Sequence, residues 1–134
     1  MKKFLSVLLI LSTLLLLCSC GMTDKKINKN LKDLEESKEI SYSLLEKSYR
    51  DSIKKEIEDE QYKKLDGEIE KGYGVYSKTE NEYAIVLVFE KASDAKSAKK
   101  IYQEEVEDEK DAVVKCSGKI VVIGNEKLVK KITK

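Results

Sequence analysis

Three cysteines are the residues best suited to chemistry in this chain of 134 residues. Cys18 and Cys20 follow an apolar N-terminal run, and Cys116 stands alone near the C-terminus. The chain has no histidine, which excludes histidine-dependent catalytic triads and the zinc motifs of metalloproteases. It also lacks a glycine-rich phosphate loop, a G-x-S-x-G elbow, an S-x-x-K motif and a C-x-x-C pair in its C-terminal part. We therefore expect no catalytic activity, no cofactor and no metal site.

The first two cysteines lie at the end of a secretion-signal pattern. Lys2 and Lys3 form a positive start, and residues 4–17 are almost entirely apolar. This run is shorter than the ~20 apolar residues that a membrane-spanning helix needs, and its length is typical of a signal peptide. No small-x-small cleavage site follows the run. In its place stand the residues Leu17-Cys18-Ser19-Cys20-Gly21.

The sequence from Leu17 to Cys20 resembles the lipobox of bacterial lipoproteins. The resemblance implies that residues 1–19 are a signal peptide cut between Ser19 and Cys20, and that Cys20 carries a diacylglyceryl group on its sulfur. Cys18 is the poorer acceptor, because the bulky Leu17 directly precedes it. Two acyl chains give stable anchoring, whereas one chain is marginal. We expect a lipid-anchored protein on the extracytoplasmic face of the cell membrane; the alternative is an uncleaved N-terminal anchor.

Composition places further bounds on the function. Cleavage would leave 115 residues, enough for one domain with a single core. The formal charge of +1 would become −1 with the loss of Lys2 and Lys3. Positive and negative residues are interleaved along the sequence and nearly balance, so the sequence shows no basic patch for binding nucleic acid. The chain is rich in lysine, isoleucine, glutamate and asparagine, which indicates an AT-rich genome, and Gly21 after Cys20 additionally favours a Gram-positive cell surface.

Residues 20–30 are polar and lysine-rich, which predicts a lipidated N-terminus and a tether. Residues 31–134 then form a single α+β domain. Apolar residues at helical spacing predict helices over about 26–38 and 41–65, separate or fused, with Ser41 as N-cap and Gly67 as stop. The second stripe includes Tyr42, Leu45, Tyr49, Ile53 and Ile57.

The spacing of apolar residues changes after residue 71 from a helical to a strand pattern. A glycine-containing segment at 72–76 predicts an edge strand, and the continuous apolar run at 83–89 predicts a strand covered on both faces. A helix is expected to begin at Ser93, with Asp94 in its first turn. Beyond it, a hairpin over 112–123 and a closing amphipathic helix over 126–134 complete the pattern.

The hairpin is expected to turn at Ser117-Gly118, which pairs Cys116 with Lys119 and Val114 with Val121. The predicted fold is therefore α+β: N-terminal helices, then a four-stranded, largely antiparallel sheet and a C-terminal helix. Two hairpins joined by a crossover helix make the sheet, and helices cover both of its faces. The strand order does not follow from the sequence.

Two features of the domain could carry chemistry. Lys119 beside Cys116 would lower the thiol pKa, but the apolar neighbours of Cys116 favour a packed thiol. An acidic run at the end of the helix that starts near Ser93 could bind calcium, but it lacks the alternating spacing and the glycine of a calcium loop. A solvated, fraying helix end is the favoured interpretation. Its members are Glu104, Glu105, Glu107, Asp108, Glu109 and Asp111.

Tyrosines offer the other candidate surface. Tyr42 and Tyr49 would share a helical face, and Tyr73 and Tyr76 lie on the glycine-containing strand. Tyrosines in such positions usually complete a small core, with their hydroxyls in water. The alternative interpretation makes Tyr73 and Tyr76 a contact patch for a partner.

Three segments together resemble small lipoproteins of clostridia and their relatives. They are Tyr83-Ala84-Ile85-Val86-Leu87-Val88-Phe89, the alanine-rich helix from Ser93, and Ala112-Val113-Val114-Lys115 leading to Gly118-Lys119-Ile120-Val121-Val122. That family has no established activity, so the resemblance implies a fold and a location only.

Three functions remain open at this stage. The first is a lipid-anchored binding or adaptor domain without catalytic activity, whose partner is an envelope protein or a peptide. The second is a small-ligand carrier or envelope-stress protein with a pocket between sheet and helices. The third is a structural role in which residues 26–65 form a stalk or self-associating helices.

Overall fold

The computed structural model describes residues 22–134, and it contains four helices and five strands in that range. The predicted signal peptide, its cleavage flanks and Cys20 lie outside these residues. None of the helices from residue 22 onward is long and apolar enough to span a bilayer. The elements in chain order are α1 (Asp24–Glu36), β1 (Ile40–Leu44), α2 (Lys47–Gln61), β2 (Ile69–Ser77), β3 (Tyr83–Phe89), α3 (Ala92–Val106), β4 (Ala112–Ser117), β5 (Ile120–Asn125) and α4 (Glu126–Thr133).

All five strands form one antiparallel sheet in the order β1-β2-β3-β5-β4. The predicted α+β class and the two hairpins, β2–β3 and β4–β5, are confirmed, and α3 makes the connection between them. The predicted count of four strands was wrong, because β1 pairs with β2 as a fifth strand. Since β1 occupies its outer side, β2 is an interior strand and not the predicted edge strand.

Strand β1 stands where the sequence predicted the start of a long helix. Its residues alternate in environment: Ile40 is buried, Ser41 is exposed and Tyr42 is half-buried. The spacing of apolar residues in this segment satisfies both a helical and an alternating pattern, and pairing with β2 decides between them. Ser41 is therefore not an N-cap, and Tyr42 and Tyr49 do not share a helical face.

Helix α2 is shorter than predicted at both ends. It begins at Lys47 and ends at Gln61, and Tyr62 forms its C-cap in the left-handed conformation with φ of 53°. The predicted stop at Gly67 was thus too late. The segment between Tyr62 and β2 is a loop, and it is held by Asp94 at the start of α3.

Asp94 is buried, with 3% of its surface exposed. Its carboxylate accepts hydrogen bonds from the backbone N–H groups of Asp66 (3.0 Å) and Gly67 (2.8 Å). The N-cap of α3 is Lys91, not the predicted Ser93. Asp94 therefore ties the α2–β2 loop to the first turn of α3.

The helices form two layers, one on each face of the sheet, as predicted. Helices α1 and α4 cover face 1, and helices α2 and α3 cover face 2. The core on face 1 is built from Ile27, Leu31, Ile40, Tyr73, Val75, Ala84, Val86, Val88, Ile120, Val122, Leu128, Val129 and Ile132. The core on face 2 is built from Ile53, Ile57, Leu65, Ile69, Leu87, Phe89, Ala95, Ala98 and Val121.

The folded domain begins earlier than the predicted boundary at residue 31. Helix α1 starts at Asp24, and Thr23 caps it by accepting a hydrogen bond from the backbone N–H of Lys26 at 3.2 Å. Ile27 is buried, and Met22 packs against the face 1 core. The prediction of a tether over 20–30 was therefore wrong for Asp24 onward, because this segment buries apolar surface.

The β4–β5 hairpin turns one residue later than predicted. Cys116 lies opposite Val121 and Val114 opposite Ile123, so the two loop residues are Gly118 and Lys119. Gly118 takes φ of 57°, and a positive φ at the first loop position is one that glycine adopts at little cost. The β5 partner of each β4 residue lies two positions later in the chain than predicted. Because two is an even number, every side chain keeps its predicted face.

Candidate functional site: a tyrosine surface

An exposed pair of tyrosines lies at one end of face 2. Tyr76 and Tyr83 are cross-strand partners at the adjoining ends of β2 and β3. Their ring centroids are 4.9 Å apart, and the rings are tilted by 55°. Tyr76 is 55% exposed and Tyr83 is 37% exposed. The two tyrosines thus contact each other and keep a large part of their surface open to a partner.

Two glycines of β2, beside this pair, allow the connection between β1 and α2 to pass close over the strand. Gly72 and Gly74 share the face 2 side of β2 with Tyr76, and Leu45 packs directly on them. A Cβ atom at Gly72 would lie 2.7 Å from Leu45 Cδ1, so a larger residue there would push the β1–α2 connection outward. Arg50 fixes the same connection by donating hydrogen bonds to the backbone oxygens of Leu45 (2.8 Å) and Ile69 (3.1 Å).

The same connection leads into α2, and Tyr49 lies in the first turn of that helix. Tyr49 is 49% exposed. Burial raises the pKa of Tyr83, with smaller contributions from Tyr49 and Tyr76. Tyr49 is thus an electrostatic neighbour of Tyr83.

Helix α3 contributes a fourth tyrosine. Burial raises the pKa of Tyr102 to about 12, with further contributions from Glu105, Glu56 and Tyr49. Tyr49 is therefore within electrostatic range of Tyr102 as well as of Tyr83. We call Tyr49, Tyr76, Tyr83 and Tyr102 the tyrosine surface.

Half-buried aliphatic residues lie on the same side of the sheet as the tyrosine pair. Ile85 and Ile123 are directly opposed on β3 and β5, and both are only partly covered by the face 2 core. Residues two apart on a strand share a face, so Ile85 stands next to Tyr83. The tyrosine surface therefore continues into partly exposed aliphatic side chains.

The structure separates the two tyrosines that the sequence offered as a contact patch. Tyr73 is only 5% exposed, lies on face 1 and makes an edge-to-face contact with Tyr42 at 6.2 Å. It belongs to the core, and burial raises its pKa. Tyr76 lies on face 2, where its ring contacts Tyr83, a tyrosine that the sequence did not single out. Tyr49, Tyr83 and Tyr102 are far apart in the chain, and only the tertiary fold brings them together.

Cys116 is a free, half-buried thiol on face 2. Burial raises its pKa, and the opposing effects of Lys99 and Lys96 are smaller. The predicted neighbour Lys119 does not face it, because Val121 is its partner on β5. This environment favours the packed thiol over a reactive one.

The acidic run begins in the last turn of α3 with Glu104 and Glu105 and continues beyond the end of the helix at Val106. Within residues 22–134, no group of three or more histidine, cysteine, aspartate or glutamate side chains is arranged to hold a metal ion. A shallow depression of about 450 Å³ does occur elsewhere, on the side of α1 that borders β1. It is lined by Asn28, Lys29, Lys32 and Tyr42.

Comparison with protein-family models, with curated proteins and with solved structures finds no match to this chain. The assignment of a function therefore depends on the chain's own residues and geometry.

Proposed function

We propose that this protein is a small binding or adaptor domain without catalytic activity, held by a lipid on Cys20 at the extracytoplasmic face of the cell membrane. The observation that carries the proposal is the tyrosine surface, where four elements each contribute one tyrosine. Tyrosine offers a large, rigid contact area with a polar tip and loses little conformational entropy on binding. Such residues commonly dominate the energy of protein interfaces.

The position of α1 supports this arrangement. Only Gly21, Met22 and Thr23 separate Cys20 from the start of the helix, so an anchor at Cys20 keeps that end of the domain against the bilayer. The start of α1 lies beside Lys71, whose Nζ is 3.0 Å from Asp24 Oδ2. The 13 residues of α1 extend about 20 Å, and the chain then enters β1, where Ile40 pairs with Ser77. Tyr76 and Tyr83 therefore lie at the end away from the anchor.

The anchor is tested by cell fractionation of Cys20→Ala, with Cys18→Ala as the matched control. We expect Cys20→Ala to accumulate as an unprocessed precursor or to leave the membrane fraction, and Cys18→Ala to behave as the wild type. Unchanged mature size and membrane partitioning in Cys20→Ala would contradict the assignment.

The binding function is tested by crosslinking the native protein in its own membranes and identifying the adducts by mass spectrometry. We expect one dominant envelope protein or peptide. An absence of any adduct above background would contradict the adaptor function.

The second candidate is a small-ligand carrier, and the depression between α1 and β1 is the observation that favours it. Lys29 and Lys32 line it together with the Asn28 amide, so it would suit a small anionic molecule. Thermal stabilisation by anionic envelope metabolites, lost in the double variant Lys29→Ala and Lys32→Ala, would support this function. Equal melting temperatures with and without these compounds would exclude it.

A further inference from the structure

Carboxylates border the tyrosine surface on its helical side. Tyr49, Glu56 and Glu60 lie seven and four residues apart on α2, so they share one stripe of that helix. Ile53 belongs to the same stripe and is buried in the face 2 core together with Ala98 of α3. The stripe therefore faces α3.

Helix α3 presents a matching stripe. Ala98, Tyr102 and Glu105 lie at spacings of four and three residues, and Ala98 is fully buried. Tyr102 is thus flanked by Glu105 on its own helix and by Glu56 on α2, in agreement with the contribution of both carboxylates to its raised pKa.

These carboxylates form no ion pair within residues 22–134. Glu56, Glu60 and Glu105 are exposed, and the ion pairs formed within residues 22–134 all join other residues. Burial, Glu60 and Glu56 raise the pKa of Glu105, because like charges oppose its ionisation. Two lysines of α3, Lys96 and Lys99, lie towards Cys116.

We propose that the tyrosine surface binds a lysine- or arginine-bearing segment of another protein. The inference rests on the proposed binding function and adds the chemistry of the partner. A cationic side chain gains from the faces of exposed tyrosine rings, and it relieves the repulsion among Glu56, Glu60 and Glu105. Anionic lipid headgroups have the wrong charge for this surface. With an anchor at Cys20, the surface also lies at the end of the domain away from the bilayer.

The test places a photo-crosslinking amino acid at position 83 of the full-length protein in its own membranes. Mass spectrometry then maps the crosslinked segment. We expect a protein segment that contains lysine or arginine, and an adduct yield that falls about tenfold in the triple variant Glu56→Gln, Glu60→Gln and Glu105→Gln. The control variant, Asp33→Asn, Glu35→Gln and Glu36→Gln, removes the same charge from α1 and should keep the wild-type yield.

Three results would overturn the proposal. They are an adduct on lipid, an adduct on a protein segment that lacks lysine and arginine, and equal yields from the two triple variants. A protein adduct with either of the last two results would leave the binding function intact and refute only the basic partner. No adduct above that of a probe at position 62 would refute both.

Discussion

Replacement of Asp94 by alanine is expected to destabilise the domain by ~3–4 kcal/mol. The carboxylate accepts two backbone hydrogen bonds, at 3.0 Å from Asp66 and 2.8 Å from Gly67. Hydrogen bonds to a charged group are worth ~1.5–3 kcal/mol each, and two of them give ~3–6 kcal/mol. Alanine also removes the cost of burying the carboxylate, so the lower half of that range applies. Asp94→Asn keeps one acceptor oxygen and should lose ~2 kcal/mol.

Denaturant unfolding followed by circular dichroism measures these differences. Ser93→Ala is the matched control, because Ser93 is exposed and donates only a long hydrogen bond of 3.4 Å to Asp66. We expect it to stay within ~0.5 kcal/mol of the wild type. If Asp94→Ala were also within ~1 kcal/mol of the wild type, the α2–β2 loop would not depend on this carboxylate, and our account of how it is held would be refuted.

Three further predictions concern single residues. Gly124→Ala should destabilise the domain by ~3 kcal/mol or more, because the new Cβ would overlap the backbone oxygen of Tyr83. In the control variant Gly118→Ala the new Cβ meets no neighbouring atom, and the positive φ at this position should cost ~1 kcal/mol. Equal losses of unfolding free energy in the two variants, measured by denaturant unfolding, would contradict this prediction. Tyr102 has a folded-state pKa of about 12 against ~10 in an unfolded chain, so the stability that its neutral hydroxyl contributes is complete below the unfolded-state pKa and is lost as the pH rises to the folded-state pKa. Tyr102→Phe should remove this part of the decrease in unfolding free energy at alkaline pH. An unchanged pH dependence of the unfolding free energy in Tyr102→Phe would contradict this prediction. Cys116 should react with a thiol reagent more slowly in the folded than in the unfolded protein, because burial raises its pKa. A wild-type phenotype of Cys116→Ser would support a packed, unreactive thiol. Fast labelling of Cys116 in the folded protein would contradict it.

Local pattern was enough to predict the central elements of the fold. The apolar run from Tyr83 to Phe89 predicted a strand covered on both faces, and the hairpin over 112–123 kept its faces despite the later turn. Hydrophobic period and the conformational preference of glycine act over a few residues, so a sequence reveals them directly.

The features that depended on distant contacts could not be predicted. Pairing with β2 turned Ile40–Leu44 into a strand, and Arg50 donates hydrogen bonds to the backbone oxygens of Leu45 and Ile69. The loss of this helical turn changed the strand count and placed Tyr49 within electrostatic range of Tyr83.

The candidate site was only partly visible for the same reason. Tyr76 was identified because of its glycine-containing strand, whereas Tyr73, three residues earlier, points to the opposite face and is buried. Tyr83 lies in a continuous apolar run and Tyr102 in the apolar stripe of a helix, so the sequence pattern assigned neither of them to a contact surface. A surface assembled from four elements has no local signature.

The most direct test of a membrane-anchored binding domain compares two variants in native-membrane crosslinking. The double variant Tyr76→Ala and Tyr83→Ala alters the tyrosine surface, and Tyr62→Ala removes a tyrosine that is 96% exposed at the C-cap of α2. All of these residues are exposed, so each variant should fold. We predict that the dominant crosslinked partner of the wild type is lost in the double variant and retained in Tyr62→Ala. Retention of the same partner at the wild-type yield in both variants would contradict the account.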